Sequence, residues 1–286
     1  MSATGNTGPT VELRGVAVPR FIYGTAWKEA RTEELTRLAI EQGFRAIDTA
    51  NQRKHYVEAD VGRAVAAAIA EGRVDRGELF LQTKFTYRRG QDERLPYDPR
   101  APLAKQVRQS FERSQQHLRS EVIDSYLLHG PSAGSWNDDD REVWHAMEAL
   151  HDEGRARLLG VSNVSRGHLE TLCAEARVPP AFVQNRCYAE QGWDADVRAF
   201  CRRHGIVYQG FSLLTANRRA LQSPAFGAIV RRTGFTPSQL VFRAAIELGI
   251  LPVTGTSSVA HMQEDLAVQH LELSDADRRA IEAIAS

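Results

Sequence analysis

Short apolar segments alternate with longer amphipathic segments along this chain. Eight short segments are nearly continuous in apolar, often branched residues, which is typical of parallel strands buried on both faces. They span residues 21–24, 44–47, 79–82, 123–128, 158–161, 181–183, 206–208 and 250–253. The pattern therefore predicts eight short strands separated by other elements.

Eight longer segments repeat their apolar residues at the helical period. They span residues 33–42, 61–70, 103–118, 142–153, 166–176, 194–204, 237–248 and 275–285. Strict alternation of strand and helix predicts a parallel sheet, and eight units predict a closed (β/α)₈ TIM barrel, which typically needs about 250 residues. An open doubly wound sheet is the alternative, but no Gly-x-Gly-x-x-Gly follows the first strand.

Composition narrows the class of protein. The 286 residues suit a single barrel domain over 1–286, with residues 1–10 expected to be disordered. The 36 basic and 36 acidic side chains balance, so neither a nucleic-acid nor a membrane partner is indicated. No signal peptide or stretch of about eighteen apolar residues is present.

The three cysteines point to a reducing compartment. Cys173, Cys187 and Cys201 are odd in number, and none has a second Cys or a His at metal-like spacing. We expect reduced thiols, no metal and a cytoplasmic location. We also expect a monomer, because no heptad repeat or apolar exposed helix calls for a partner.

Polar residues follow most of the predicted strands. In such a barrel the active site lies at the carboxyl ends of the strands, where Asp48, Lys84 and His129 fall. Taken singly, these residues are typical of a helix cap, a solvated charge and a core histidine. Together they would converge on one rim, and a buried Asp48 and Lys84 would each need the other. The set therefore predicts an active site.

Several short motifs carry a family resemblance. They are AIDTA at 46–50, EADVG at 58–62, QTK at 82–84, LLHGP at 127–131, GVSN at 160–163 and VQ at 183–184. Between Gly24 and Asp265 the chain resembles the aldo-keto reductase family. The resemblance implies reduction of an aldehyde or ketone, a small-molecule carbonyl substrate, by hydride transfer from a nicotinamide cofactor.

The resemblance implies a catalytic set of Asp48, Tyr56, Lys84 and His129. The family pattern is Asp-Thr-Ala-x-x-Tyr-x-x-Glu, whereas residues 48–58 read DTANQRKHYVE, which is longer. Counting forward reaches Arg53, and counting back from the glutamate reaches His55. We assign the general-acid role to Tyr56, the only tyrosine of the loop, with His55 as the alternative.

The chemistry accounts for these residue types. A tyrosine has an ordinary pKa near 10 and is a poor acid at neutral pH. A cationic Lys84, held by Asp48, is expected to lower the pKa of Tyr56. His129 would donate to, or orient, the carbonyl oxygen as negative charge develops on it.

Cofactor positions follow from the same resemblance. The implied residues are Thr25, Ala26, Asp48, Ser162, Asn163, Gln184, Phe211, Ser212, Leu213, Leu214, Gly255, Thr256, Ser257, His261 and Asp265. Ser162, Asn163 and Gln184 would grip the carboxamide, and Phe211 would stack on the nicotinamide. NADPH is the family default. NADH use is also expected, because Gly255 and His261 stand where members that prefer NADPH have Lys and Arg. Arg218 and Arg219 are candidates to replace those cations.

Aromatic residues suggest the substrate class. Trp27, Tyr56, Tyr87, His129 and Trp136 are expected to wall the substrate pocket. Such walls suit an apolar or planar carbonyl compound. Two other functions are weighed: a nicotinamide-binding sensor or auxiliary subunit without significant turnover, and a Schiff-base lyase with Lys84 as nucleophile. The intact polar set disfavours the first, and the charge-stabilising Asp48 disfavours the second.

Overall fold

Eight parallel strands close into a barrel in a computed structural model that describes residues 10–284. The first two strands form a separate hairpin, β1 (Thr10–Leu13) and β2 (Val16–Pro19). The barrel strands are β3 (Ile22–Gly24), β4 (Ala46–Asp48), β5 (Phe80–Phe85), β6 (Ile123–Leu128), β7 (Ala156–Ser162), β8 (Phe182–Arg186), β9 (Val207–Phe211) and β10 (Ile250–Thr254). Each barrel strand pairs with the next one in the chain, and β10 pairs with β3. The predicted (β/α)₈ barrel is therefore confirmed.

Helices surround the barrel. They are α1 (Thr32–Gln42), α2 (Glu58–Ala70), α3 (Leu103–Leu118), α4 (Asp138–Asp152), α5 (Arg166–Glu175), α6 (Ala195–Arg203), α7 (Arg218–Leu221), α8 (Pro224–Thr233), α9 (Pro237–Glu247), α10 (Val259–Ala267) and α11 (Asp275–Glu282). The predicted helical segments correspond to α1–α6, α9 and α11. Two longer helices, α8 and α10, were not predicted. The Ser223 cap before Pro224 and Gly234 in the left-handed region are the local signals that mark α8.

The hairpin closes the amino-terminal end of the barrel. Its turn residues Arg14 and Gly15 have φ values of 50° and 79°, as a tight hairpin turn requires. Val18 is fully buried and packs in one apolar cluster with Phe80 and Phe182, which begin two barrel strands. Thr10 begins β1, although it was included in the segment expected to be disordered. Residues 1–9 lie outside the described part of the chain.

The main apolar core lies between the strands and the helices. Gly62 shows how closely one helix pair packs, because a Cβ built there would lie 1.8 Å from the carbonyl oxygen of His117. Helices α2 and α3 can therefore approach only because residue 62 has no side chain. Within residues 10–284 no helix is long and apolar enough to span a bilayer.

Candidate active site

A cavity of about 1090 Å³ opens at the carboxyl ends of the barrel strands. Most of the predicted site residues line it. They are Ala26, Trp27, Asp48, Tyr56, His129, Ser162, Asn163, Gln184, Phe211, Ser212, Leu213, Leu214, Gly255, Thr256, His261 and Asp265. Because all eight strands run in the same direction, residues that are distant in the chain meet at this one mouth.

Asp48 and Lys84 form a buried ion pair at the ends of β4 and β5. Lys84 Nζ donates to Asp48 Oδ1 at 2.6 Å, to Asp48 Oδ2 at 2.7 Å and to the Thr49 carbonyl at 2.8 Å. Burial lowers the pKa of Lys84, and the Asp48 carboxylate opposes that shift. Lys84 is fully buried and has its N–H groups committed to these oxygens, so it is poorly placed to act as a nucleophile.

Buried glutamines fix Asp48 from within the barrel. Gln82 and Gln184 donate to Asp48 Oδ1 at 2.7 and 3.1 Å, and both donate to Gln209 Oε1 at 2.8 Å. Gln82 and Gln209 were not predicted as site residues. Gln82 lies two residues before Lys84 on the same strand face, and that period is the signal that identifies it.

Tyr56 lies beside the ion pair. Lys84 Nζ is 5.3 Å from the centre of the Tyr56 ring, and the Tyr56 and His129 ring centres are 6.0 Å apart. Burial, together with the Asp48 carboxylate, raises the pKa of Tyr56. The sequence predicted the opposite direction. The physical reasons are, first, that burial disfavours the charged phenolate and, second, that the nearby Asp48 carboxylate repels it and offsets the positive charge of Lys84.

His129 follows β6 directly and is oriented by Thr86. The Thr86 hydroxyl lies 2.7 Å from His129 Nδ1. Burial, followed by the charge of Lys84, lowers the pKa of His129 to about 3. The imidazole is therefore neutral at pH 7. In the tautomer whose Nδ1 accepts from the Thr86 hydroxyl, the Nε2–H group is a donor. Thr86 was not predicted as a site residue.

His55, the alternative acid, packs against Trp27. Their ring centres are 3.9 Å apart, and the backbone N–H of Trp27 donates to the backbone carbonyl of His55 at 2.8 Å. Trp27 is 69% exposed and has a left-handed φ of 62°. His55 and Trp27 both line the cavity, but of the two candidate acids it is Tyr56 whose ring lies close to both Lys84 and His129.

The polar ends of β7 and β8 form one edge of the cavity. Asn163 Nδ2 donates to the His129 carbonyl at 2.7 Å and to Ser162 Oγ at 3.1 Å. Ser162 Oγ donates to the Gln184 carbonyl at 2.6 Å. Asn163 has a φ of 56°, a conformation that asparagine tolerates better than most residues. These contacts join the edge to His129.

Two predicted cofactor residues do not line the cavity. Thr25 is fully buried, and its N–H and hydroxyl donate to the Asp48 carbonyl at 3.0 and 2.9 Å. It therefore supports Asp48 from behind. Ser257 is exposed on the loop between β10 and α10, beside Thr256, which does line the cavity.

Lys28 lines the cavity, although it was not predicted as a site residue from the sequence. Its ammonium donates to the Gly255 carbonyl, and a Cβ built on Gly255 would lie 3.7 Å from Lys28 Nζ. A cation from the loop after β3 therefore lies beside Gly255, the position at which family members that prefer NADPH have a lysine. Arg218 and Arg219 do not line the cavity. Lys28 directly follows Trp27, and that position at the mouth of the barrel is the signal for it.

Helix α10 contributes titratable groups to the same end of the cavity. His261, Glu264 and Asp265 line it. Asp265 is 2% exposed and accepts a hydrogen bond from the Thr254 hydroxyl at 2.8 Å. Burial raises the pKa of Asp265 to about 7, against the effect of that hydrogen bond.

Two aromatic residues predicted for the substrate pocket lie elsewhere, which corrects that prediction. Tyr87 is buried and donates to Asp140 Oδ1 at 2.9 Å. Trp136 is buried against Trp144, with ring centres 6.3 Å apart. Neither lines the cavity, because both side chains anchor the loops after β5 and β6 to helix α4.

The fold and this site together define a class of protein. The family model described as the Aldo/keto reductase family matches residues 22–286. The chain therefore belongs to the aldo-keto reductase family and is an oxidoreductase. This confirms the resemblance drawn from the sequence motifs.

Individual relatives agree with that assignment. A 9,11-endoperoxide prostaglandin H2 reductase of Trypanosoma cruzi is 30% identical, over 94% of this chain and 88% of its own length. An uncharacterized oxidoreductase of Bacillus subtilis is 28% identical, over 94% and 90%. The solved aldo/keto reductase of Brucella melitensis superposes with a TM-score of 0.80 at 26% identity, over 96% of this chain and 99% of its own. An aldo-keto reductase complexed with NADPH has a TM-score of 0.82 at 25% identity, over 96% and 87%.

Proposed function

We propose that this protein reduces an aldehyde or ketone to an alcohol with a nicotinamide cofactor, and that Tyr56 donates the proton. One observation carries the proposal: Tyr56, His129 and the Asp48–Lys84 pair meet at the cavity edge formed by Ser162, Asn163 and Gln184. Proton donors and carboxamide-binding groups thereby stand next to each other.

The cavity fits a dinucleotide. Its volume of about 1090 Å³ lies slightly above the usual range for ligand pockets, about 300–1,000 Å³. Phe211 lines the cavity together with Ser212, Leu213 and Leu214 of the adjoining loop. Helix α10 begins beside the cavity, and the positive end of its dipole favours an anion there.

We propose NADPH as the cofactor, with NADH as the second choice. Lys28 supplies a cation beside Gly255, which partly compensates for the absent family lysine. An NADPH-bound relative of the same fold supports this choice. Glu264 favours NADH, because a carboxylate near the adenosine repels a phosphate and accepts hydrogen bonds from hydroxyls.

The protein's own groups then handle the proton. A reduced nicotinamide, when bound, supplies the hydride. Tyr56 remains a phenol throughout the neutral range, because its pKa is raised. Neutral His129 donates from Nε2 to the carbonyl oxygen and helps to polarise it. As Tyr56 releases its proton, the nearby Lys84 ammonium stabilises the phenolate that forms.

We further propose an apolar or planar substrate. Trp27 and His55 line the cavity with two rings that pack against each other at an interplanar angle of 36°. Aromatic faces bind flat apolar groups well and exclude water from the reacting carbonyl.

The test replaces each candidate acid separately. Tyr56→Phe should lower kcat for a carbonyl substrate by about 10²- to 10⁴-fold, the usual contribution of a general acid. It should leave the cofactor Kd unchanged, as measured by fluorescence titration. His55→Ala should retain most of the kcat.

Three results would count against the proposal. Parental kcat in Tyr56→Phe would remove Tyr56 from the chemistry. A comparable loss in His55→Ala alone would transfer the acid role to His55. A bound reduced cofactor that no carbonyl compound oxidises in stopped-flow measurements would instead favour the nicotinamide-binding sensor.

A further inference from the structure

The loop that carries Tyr56 is anchored by the main chain of Gln52. The carbonyl of Gln52 accepts the N–H of Tyr56 at 3.0 Å and the N–H of His55 at 3.2 Å. Val57, the residue that precedes α2, provides no side-chain cap. The turn around Gln52 therefore sets where the Tyr56 backbone lies.

The side chain of Gln52 ties this turn to the loop after β5. Gln52 is 6% exposed, and its Nε2 donates to the Gly90 carbonyl at 2.6 Å. A Cβ built on Gly90 would lie 2.7 Å from Thr86 Cγ2, so this close approach depends on a glycine. Thr86 in turn contacts His129 Nδ1. The same loop thus contacts Tyr56, through Gln52, and His129.

Gln91 supplies a second tie between the two loops. It is buried, and its Nε2 donates to the Asn51 carbonyl at 2.8 Å and to the Thr86 carbonyl at 3.4 Å. The side chain of Asn51 continues the network by donating to the Ser110 carbonyl at 2.9 Å.

If Gln52 and Gln91 served only to pack the two loops, their buried amide oxygens would lower the stability of the protein. Within residues 10–284, no protein group donates a hydrogen bond to the buried Gln52 Oε1 or Gln91 Oε1. A buried acceptor left unpaired lowers stability, and a methionine of similar size would avoid that cost. What the glutamines add is the pair of N–H donors that lock the Tyr56 loop in place.

We propose that Gln52 and Gln91 are positioning residues that hold Tyr56 at its place beside His129. This inference rests on the proposed role of Tyr56 as proton donor. A displacement of about 1 Å in a reacting group can cost about 100-fold in rate. Loss of the Gln52 side chain should displace Tyr56 more than loss of the Gln91 side chain. The reason is that the Gln52 amide holds the residue whose main-chain carbonyl accepts the Tyr56 N–H.

The experiment compares Gln52→Met and Gln91→Met with a matched control. Gln106 lies on helix α3, and Gln106→Met also removes a buried amide. That amide donates to the Ala101 carbonyl at 2.8 Å. We expect kcat to fall at least tenfold in Gln52→Met and less in Gln91→Met, with the cofactor Kd unchanged in both. Gln106→Met should keep the parental kcat. Gln52→Glu, which keeps the shape but loses the donor, should resemble Gln52→Met.

A double variant shows whether Gln52 acts through Tyr56. In a Tyr56→Phe background, Gln52→Met should cause no further loss of kcat, because the group that it positions is gone. Additive losses would overturn the proposal. Equal losses in Gln52→Met and Gln106→Met would also overturn it, because they would indicate a general effect of removing buried amides.

A second readout needs no turnover. In protein labelled with ¹³Cζ-tyrosine, the Tyr56 resonance is assigned by its loss in Tyr56→Phe. It should shift or broaden in Gln52→Met and Gln91→Met and stay unchanged in Gln106→Met. An unchanged Tyr56 resonance in both Gln52→Met and Gln91→Met would refute the positioning role, even if the parent protein proved inactive. Loss of activity only in Tyr56→Phe would leave the proposed function intact while refuting this inference.

Discussion

Replacing Asp265 with asparagine should stabilise the protein at alkaline pH. The Asp265 carboxyl is 2% exposed, and its single hydrogen bond in the described structure comes from Thr254. Burial raises its pKa from 3.8 to about 7, and Glu264 adds to the shift. Ionising this group in the folded protein is therefore unfavourable compared with ionising it in the unfolded chain.

The sign and size follow from proton linkage. Between pH 4 and 7 the unfolded chain loses the Asp265 proton while the folded protein keeps it, so the free energy of unfolding falls by about 1.4 kcal/mol per pH unit. Over roughly three units the loss reaches about 4 kcal/mol, and above pH 7 it stays constant. Asparagine stays neutral and still offers an oxygen to Thr254, so Asp265→Asn avoids this loss.

Urea unfolding of the cofactor-free protein between pH 4 and pH 8 measures the effect. The variant and the parent should be similar near pH 4, and the variant should become progressively more stable up to pH 7. Asp277→Asn is the control of opposite sign, because Ser274 and Arg232 hold the pKa of Asp277 below its usual value. Because the linkage window of a lowered pKa lies below the unfolded value of 3.8, that variant should already be less stable than the parent near pH 4, with a difference that changes little up to pH 8. A pH-independent difference for Asp265→Asn would show that its carboxyl ionises as freely folded as unfolded.

Two further substitutions test packing and cofactor binding. Gly62→Ala should destabilise the protein by about 3 kcal/mol in thermal or urea unfolding, the upper part of the usual range for overpacking, because its Cβ would meet the His117 carbonyl at 1.8 Å. Gly77→Ala, with no atom within 4 Å of the new Cβ, should be near neutral, and equal effects would disprove the close-packing argument. Lys28→Met should raise the NADPH Kd about 10- to 100-fold, the cost of a lost charged hydrogen bond. The exposed Lys54→Met should leave that Kd unchanged, and an unchanged Kd in Lys28→Met would remove Lys28 from the phosphate site.

Much of the fold is readable from the sequence because its signals are local. Strands buried on both faces require nearly continuous apolar runs, and each of the eight predicted runs overlaps a barrel strand. The meeting of Asp48 and Lys84 was also predictable, since neighbouring parallel strands bring their carboxyl ends together. The same rule placed His129 at the rim.

Other features depended on contacts between segments that no local pattern encodes. Tyr87 and Trp136 are aromatic residues on rim loops, yet their side chains turn to Asp140 and Trp144 instead of the cavity. The direction of the pKa shift of Tyr56 depended on burial and on how closely Lys84 pairs with Asp48.

The barrel and the rim that holds Asp48, Lys84 and His129 could be predicted from the chain alone, because hydrophobic period and strand direction are properties of the chain. Which ring of the lengthened loop lies near Lys84, and how Lys28 reaches Gly255, became clear only from the folded structure. Both outcomes depend on distances between loops that are remote in sequence. Such distances are set by packing and by side-chain hydrogen bonds such as that from Gln52 to Gly90.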